Sequence, residues 1–171
     1  MKKHNGMRPQ DVVILLKIAA IGGTDWRVLP MAHELSISQS EISESLNRSM
    51  LAGLLAADKR TLMRSALLEF LQYGLPYVYP QHPGAIVRGM PTAHSAPPLS
   101  ELINANEQYV WPYAKGTVRG QRIEPLHKSV PEACERDIKL YELLALCDAL
   151  RLGKVRERQI AIEQLTSRIK Q

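Results

Sequence analysis

Apolar residues in this 171-residue chain recur with helical spacing towards both ends and fall into short, proline-punctuated runs between them. Val12, Val13, Leu15, Leu16, Ile18 and Ala19 make a first helix apolar over much of its circumference. Pro9 suits its first turn, Asp11 its positive N-terminal end, and Gly22-Gly23 its termination. A short second helix is expected next, capped by Thr24 or Asp25, with Pro30 in its first turns and Trp26 as a packing anchor. The chain then turns at Ser36-Ile37-Ser38, and Ser38-Gln39-Ser40-Glu41 has the form of a capping box opening a third helix. Ile42, Leu46 and Met50 recur every four residues as its buried stripe. Gln39, Ser40, Ser43, Asn47 and Arg48 are assigned to the opposite, polar face. Gly53 stops this helix. Leu54-Leu55 reads as a short strand entering a narrow hairpin that turns at Asp58-Lys59-Arg60, and Ser65 is placed as the cap of a helix running to about Tyr73.

Composition changes at Gly74. Most of the eleven prolines lie between Leu75 and Pro125. Short extended pieces are predicted at Tyr77-Val78-Tyr79, Ala85 to Arg88, Tyr109-Val110-Trp111 and Thr117 to Arg119. The phrases from Gly84 to Gly89 and from Gly116 to Gly120 echo one another, as two pairing strands or an eroded duplication would. Met90 to Leu99 is too rigid and small for a helix and is expected to cross the surface as an extended connector. It could also dock another protein, or use His94 and Ser95 in catalysis, though no third catalytic member is evident. Ser129-Val130-Pro131-Glu132 is a second capping-box pattern, and Asp137 can re-cap the helix that follows. The run from Ile138 to Leu150 is apolar on most sides, Gly153 breaks it, and Lys154 to Lys170 forms a final helix. Together these predict an antiparallel helical hairpin.

The net charge of +5 permits a polyanionic partner but is not concentrated. Residues 1–75 hold 9 Lys+Arg against 7 Asp+Glu, and the rest hold 13 against 10. Nucleic-acid binding must therefore rest on local arrangement. Residues 1–6, with Lys2, Lys3 and His4, read as a loose tail. The apolar run from Val12 to Ile21 is interrupted by Lys17 and too short to span a bilayer, so no membrane association and a cytoplasmic location are expected. Cys134 and Cys147 are assigned to the core as reduced thiols. The five histidines are scattered, and no metal-ligand cluster, phosphate-cradling glycine motif or nucleophile elbow occurs. No cofactor, no metal and no enzymatic activity are expected.

Residues 9–70 resemble the winged helix-turn-helix of bacterial transcription regulators, the MarR type most closely. The resemblance is carried by Ala32 and Leu35, the turn Ser36-Ile37-Ser38, Ile42 and Leu46, and Gly53-Leu54-Leu55 leading to a wing. The sequence departs from the pattern in placing Glu41 and Glu44 on the second helix of the motif and in a short wing, Leu54 to Met63. The expected fold is mainly α: a winged helix-turn-helix domain over 7–74, a Pro/Gly-rich region with short β-strands over 75–128, and a C-terminal helical region over 129–171 for dimerisation or partner binding. The resemblance implies a sequence-specific regulator that binds double-stranded DNA as a homodimer. Ser38, Gln39, Ser40, Ser43 and Asn47 would touch bases or nearby phosphates, and Arg48, Lys59 and Arg60 would clamp the backbone. The alternative is an antitoxin-like or other partner-binding module. In either case residues 75–171, with the aromatics Tyr77, Tyr79, Trp111 and Tyr113, could take a protein partner or a small-molecule effector.

Overall fold

Helix α1, Pro9–Ile21, is the axis of the molecule. In the computed structural model, which describes residues 5–171, every residue from Asp11 to Ile18 is buried. A helix apolar all round needs neighbours on several sides, and α1 packs on both α3 (Gln39–Leu51) and α7 (Ile138–Leu152). Of the expected tail, residues 1–4 lie outside those described, and Asn5 and Gly6 belong to no helix or strand.

Helix α2, Val28–Leu35, begins three residues later than a Thr24 cap would place it and two later than an Asp25 cap would. Its N-cap is Arg27, which makes no side-chain cap bond, so Pro30 occupies the third helical position, where its missing N–H has no intrahelical duty. The turn to α3 falls where the sequence puts it: Ser36 closes α2 in the left-handed region (φ 52°), and Ser38 caps α3 by accepting the Glu41 N–H at 3.2 Å. A hairpin follows, held by a bridge between Leu55 and Leu62 and by Ala56 N–H to Thr61 O at 2.9 Å. Helix α4, Arg64–Tyr73, starts after Met63 rather than on a Ser65 cap. The strand predicted at Tyr77-Val78-Tyr79 is instead largely the one-turn helix α5, Leu75–Val78. Pro76 at its second position supplies the helical φ and lacks only an N–H that has no intrahelical partner there.

The two echoing phrases do pair. Strands β1 (Ile86–Pro91), β2 (Tyr109–Pro112) and β3 (Val118–Arg122) form a closed three-stranded ring, β1 antiparallel to both others and β2 parallel to β3. Arg88 stands opposite Arg119, and Gly89 opposite Val118. Closure this tight requires backbone contact: a Cβ on Gly89 would lie 1.9 Å from the Trp111 carbonyl oxygen. The segment after β1 does not cross the surface. It folds inward through two 3₁₀ turns, Ala93–Ser95 and Leu99–Glu101, and buries Thr92, Ala93, His94, Ala96 and Leu99. Trp111, read as an exposed aromatic, is 1% exposed.

Burial of this polar segment depends on one carboxylate. Asp148 of α7 accepts hydrogen bonds from Thr92 Oγ1 at 2.7 Å, Trp111 Nε1 at 2.6 Å and Arg151 Nη1 at 2.8 Å. Arg151 in turn donates to the carbonyls of Tyr79 and Glu124. Without Asp148, two buried donors would lose their acceptor and the Arg151 guanidinium its counter-charge.

The C-terminal hairpin is antiparallel as expected. Helix α8, Val155–Ile169, follows α7 through Gly153, and Arg168 near its end reaches Glu142 near the start of α7 at 3.0 Å. Helix α6, Val130–Glu135, precedes them; Ser129 makes no side-chain cap bond, its hydroxyl bonding His127 Nδ1 at 2.7 Å, while Asp137 caps α7 through Leu140 N–H. Cys134 and Cys147 are buried free thiols, pushed well above the ordinary thiol range by burial. The buried apolar residues form one continuous cluster from Val12 to Ile169, so the composition changes at Gly74 and Ser129 do not mark separate cores. The chain is mainly helical with a small three-stranded sheet. Among the described residues, no helix is long and apolar enough to cross a membrane.

Asp148→Ala is expected to destabilise the fold by about 3–5 kcal/mol, the cost of stranding a buried partner charge. Urea unfolding measures this. A loss below about 1 kcal/mol would mean that the network is not what anchors the Pro-rich region.

Candidate nucleic-acid interface

The outward arc of α3 gathers most of the polar residues singled out in the sequence. At about 100° per residue, Gln39, Ser43, Asn47, Ser40 and Glu44 fall within a sector of roughly 140°, and all five are exposed. Glu41 lies just beyond that sector and is exposed too. Ile42 and Leu46 face inward as expected, and Met50 is half-buried. Ser38 sits at the amino end, its hydroxyl committed to the cap and 3.3 Å from Ser40 Oγ. The reciprocal half of the capping box is not formed, and the Glu41 side chain stays at the surface.

Arg48 does not belong to this surface, contrary to expectation. It is 9% exposed and grips Asp11 with two parallel bonds, Nε to Oδ2 at 2.8 Å and Nη2 to Oδ1 at 2.7 Å. Asp11 is fully buried and also accepts the Arg8 N–H at 2.9 Å. The bidentate bond with Asp11 holds the guanidinium pKa above its ordinary value against the opposing effect of burial. On the helical wheel Arg48 falls at the edge of the outward arc, between the exposed Glu44 and Glu41 and about 100° from Asn47. The wheel alone does not bury it, since Glu41 at nearly the same angle is exposed; the Asp11 carboxylate draws the long side chain back against α1. Its role is to fix the angle at which α3 lies on α1.

The hairpin tip divides its two basic residues. Lys59, in the left-handed region at φ 56°, is exposed and has no ion-pair partner among the described residues. Arg60 is turned back: Nη1 donates to Trp26 O at 2.7 Å and Thr24 O at 3.0 Å, and the guanidinium lies 5.1 Å from the Trp26 ring centre. Trp26 Nε1 returns a bond to Arg60 O at 3.3 Å. Trp26 is thus a packing anchor, and Arg60 ties the hairpin to the loop before α2 instead of standing free. Asp58 secures the turn through the N–H groups of Arg60 and Thr61 and the Thr61 hydroxyl.

Two neighbours carried no signal in the sequence. Lys17 bridges Glu34 of α2 and Asp137 before α7, each at 2.6 Å, fixing α1, α2 and the C-terminal helices together. His127, just before α6, lies close enough to the Glu41 carboxylate to feel its charge, with Lys128 exposed beside it. Burial nevertheless holds the His127 imidazole below the ordinary histidine value, and its Nδ1 accepts the Ser129 N–H at 3.2 Å. Lys17 and Asp137 are 120 residues apart, and His127 and Glu41 are 86 apart, beyond any local pattern.

His94 and Ser95, considered as catalytic, serve the local fold. His94 Nε2 bonds the Glu107 carbonyl at 2.8 Å, and Ser95 Oγ accepts the Tyr109 N–H at 2.9 Å. Among the described residues, no group of three or more His, Cys, Asp or Glu side chains is placed to hold a metal ion. Comparison with protein-family models, curated proteins and solved structures finds no match to this chain.

Arg48→Ala is expected to cost about 3–5 kcal/mol, because it leaves the Asp11 carboxylate buried and unpaired. In a double-mutant cycle with Asp11→Leu and Arg48→Met, the coupling energy should exceed about 1 kcal/mol. Additive losses would show that the pair does not act as a unit. His127 supplies a pH test. Its pKa is lowered by folding, so its contribution is fully present above the unfolded value of 6.5 and is lost as pH falls through the folded value. Melting temperature should therefore fall on acidification below about pH 6.5, and His127→Asn should flatten that fall. An unchanged pH profile in the variant would assign the effect elsewhere.

Proposed function

We propose that this protein is a sequence-specific DNA-binding regulator of the winged helix-turn-helix type, acting as a homodimer. One observation carries the reading: a capped helix, locked from behind by a buried ion pair, presents Gln39, Ser40, Ser43 and Asn47 on one exposed arc. Amide side chains can pair bidentately with adenine, and serine hydroxyls can bond bases or phosphates. α2 and α3 take the roles of the two helices of the motif, and the hairpin from Leu54 to Met63 is the wing, offering Lys59 to the phosphate backbone. One short helix reads too few base pairs for selectivity, so two copies would occupy half-sites about one helical turn apart. Arg48 and Arg60 act in this reading as positioning residues and not as phosphate contacts.

A second reading, a module that binds a protein partner, is favoured by two features. Glu41 and Glu44 oppose a phosphate backbone, and Tyr73, Tyr77 and Val78, close together in the chain, are 66%, 78% and 53% exposed. Exposed aromatics of this kind suit a protein interface.

The test is a salt-dependent titration against the DNA upstream of the protein's own coding sequence, with non-specific competitor present. Gln39→Ala/Asn47→Ala should abolish the preference for that DNA over competitor, at about 1–3 kcal/mol per lost base contact. Lys59→Ala should weaken all DNA alike and reduce the salt slope by about 0.9, the value of one phosphate contact. Equal, weak binding by wild type and double variant would reject base reading and favour the protein-partner module.

A further inference from the structure

A cavity of about 290 Å³ lies where the Pro-rich region meets the start of α8, away from the outward arc of α3. His94, Asn104, Asn106, Tyr109, Lys154 and Glu157 are among its lining residues. His94 is 5% exposed, and the Tyr109 ring packs against it with centres 4.5 Å apart. Its Nε2 lies 2.8 Å from the Glu107 carbonyl oxygen. A carbonyl only accepts, so Nε2 carries the hydrogen, and in the neutral ring Nδ1 is left as a lone pair.

That lone pair faces another acceptor. Glu157 Oε1 lies 4.0 Å from Nδ1, beyond hydrogen-bond reach. The other oxygen of Glu157 accepts the Lys154 N–H at 2.9 Å, which fixes the carboxylate at the start of α8. With the ring neutral, two acceptors 4.0 Å apart can be bridged by a group carrying at least two hydrogens, an ammonium or a water. A tetrahedral nitrogen placed about 2.8 Å from each would meet both at an angle near 90°, within the range such donors tolerate. The exposed Lys154 adds a positive charge to the same lining.

We propose that this cavity binds a small zwitterion of the α-amino-acid class. The ammonium group sits between His94 Nδ1 and Glu157 Oε1, and the carboxylate turns towards Lys154 and the Asn104 and Asn106 amides. The volume suits a small side chain, being at the lower end of ligand sites. The far end of α8 is bonded to α4 through Arg64 and the Ile169 carbonyl, so a ligand at its start touches an element that reaches the N-terminal helices. This assignment stands independently of the DNA-binding reading.

Calorimetric titration of the full chain with glycine, L-alanine, L-serine and L-leucine tests it, with ethylamine and propionate as half-ligand probes. At least one amino acid should bind with a Kd below about 10 mM, and either half-ligand should bind about tenfold more weakly, as loss of a charge-assisted contact demands. His94→Gln keeps an Nε2 donor for Glu107 but removes the ring lone pair. Glu157→Gln keeps a cap acceptor but removes the charge. Each should weaken binding about tenfold. Lys154→Met, at an exposed position, should lower the amino acid to the affinity of ethylamine even if the other variants lose their fold. Absence of binding by all four amino acids, a half-ligand that binds as tightly as the best of them, or unchanged affinity in Lys154→Met would overturn the assignment.

Discussion

The buried pair between Asp11 and Arg48 is the constraint on which the rest of the molecule's surface depends. A carboxylate with no exposure and a guanidinium at 9% would each be costly to bury alone. The bidentate geometry satisfies both, and the remaining Asp11 capacity is used on the Arg8 N–H at the start of α1. Because the fork fits the carboxylate in only one orientation, the pair fixes the rotation of α3 about its own axis as well as its distance from α1. That rotation decides which side chains reach solvent. Gln39, Ser43 and Asn47 are outward because Arg48 is inward.

The same device recurs twice more. Lys17 joins α1 to α2 and to the approach of α7, and Asp148 with Arg151 joins α7 to the Pro-rich region. All three set a charged group, nine-tenths or more buried, against partners distant in sequence. Buried ion pairs contribute little net stability compared with apolar packing, but breaking one is expensive. They therefore penalise alternative arrangements of these helices more than they stabilise the native one. Apolar contacts around α1, which are non-directional, supply the driving force.

The proposed interface is short of cations. Arg48 and Arg60 are committed to internal contacts, and Glu41 and Glu44 stand among the amides and hydroxyls of α3. If this surface meets DNA, it does so through directional hydrogen bonds, with modest help from counterion release. Such a surface would favour selectivity over affinity, which is why the proposal pairs two copies on DNA. The C-terminal half, continuous with the N-terminal core, brings His127 within the electrostatic reach of Glu41 on α3 and places the proposed zwitterion cavity at the start of α8.

The helical periods, the Ser36-Ile37-Ser38 turn, the Ser38 and Asp137 caps, the hairpin at Asp58 and the break at Gly153 could all be read from the sequence. These depend on contacts within a few residues or on the wheel of a single helix, and local chemistry determines them. The burial of Arg48, the return of Arg60 to Trp26, the inward course of residues 92–99 and the buried Trp111 could not be read this way. In each case a partner distant in sequence holds the group: Asp11 buries Arg48, Asp148 buries Thr92 and Trp111, and the Thr24 and Trp26 carbonyls tie down Arg60, which stays exposed. Those partners lie 34 to 56 residues away. Sequence alone determined the long helices, the Ser38 and Asp137 caps and the hairpin turn, because their hydrogen bonds close locally. Only the tertiary structure decided which charges are inside, because a buried charge is tolerated only where the folded chain brings its counter-charge within bonding distance.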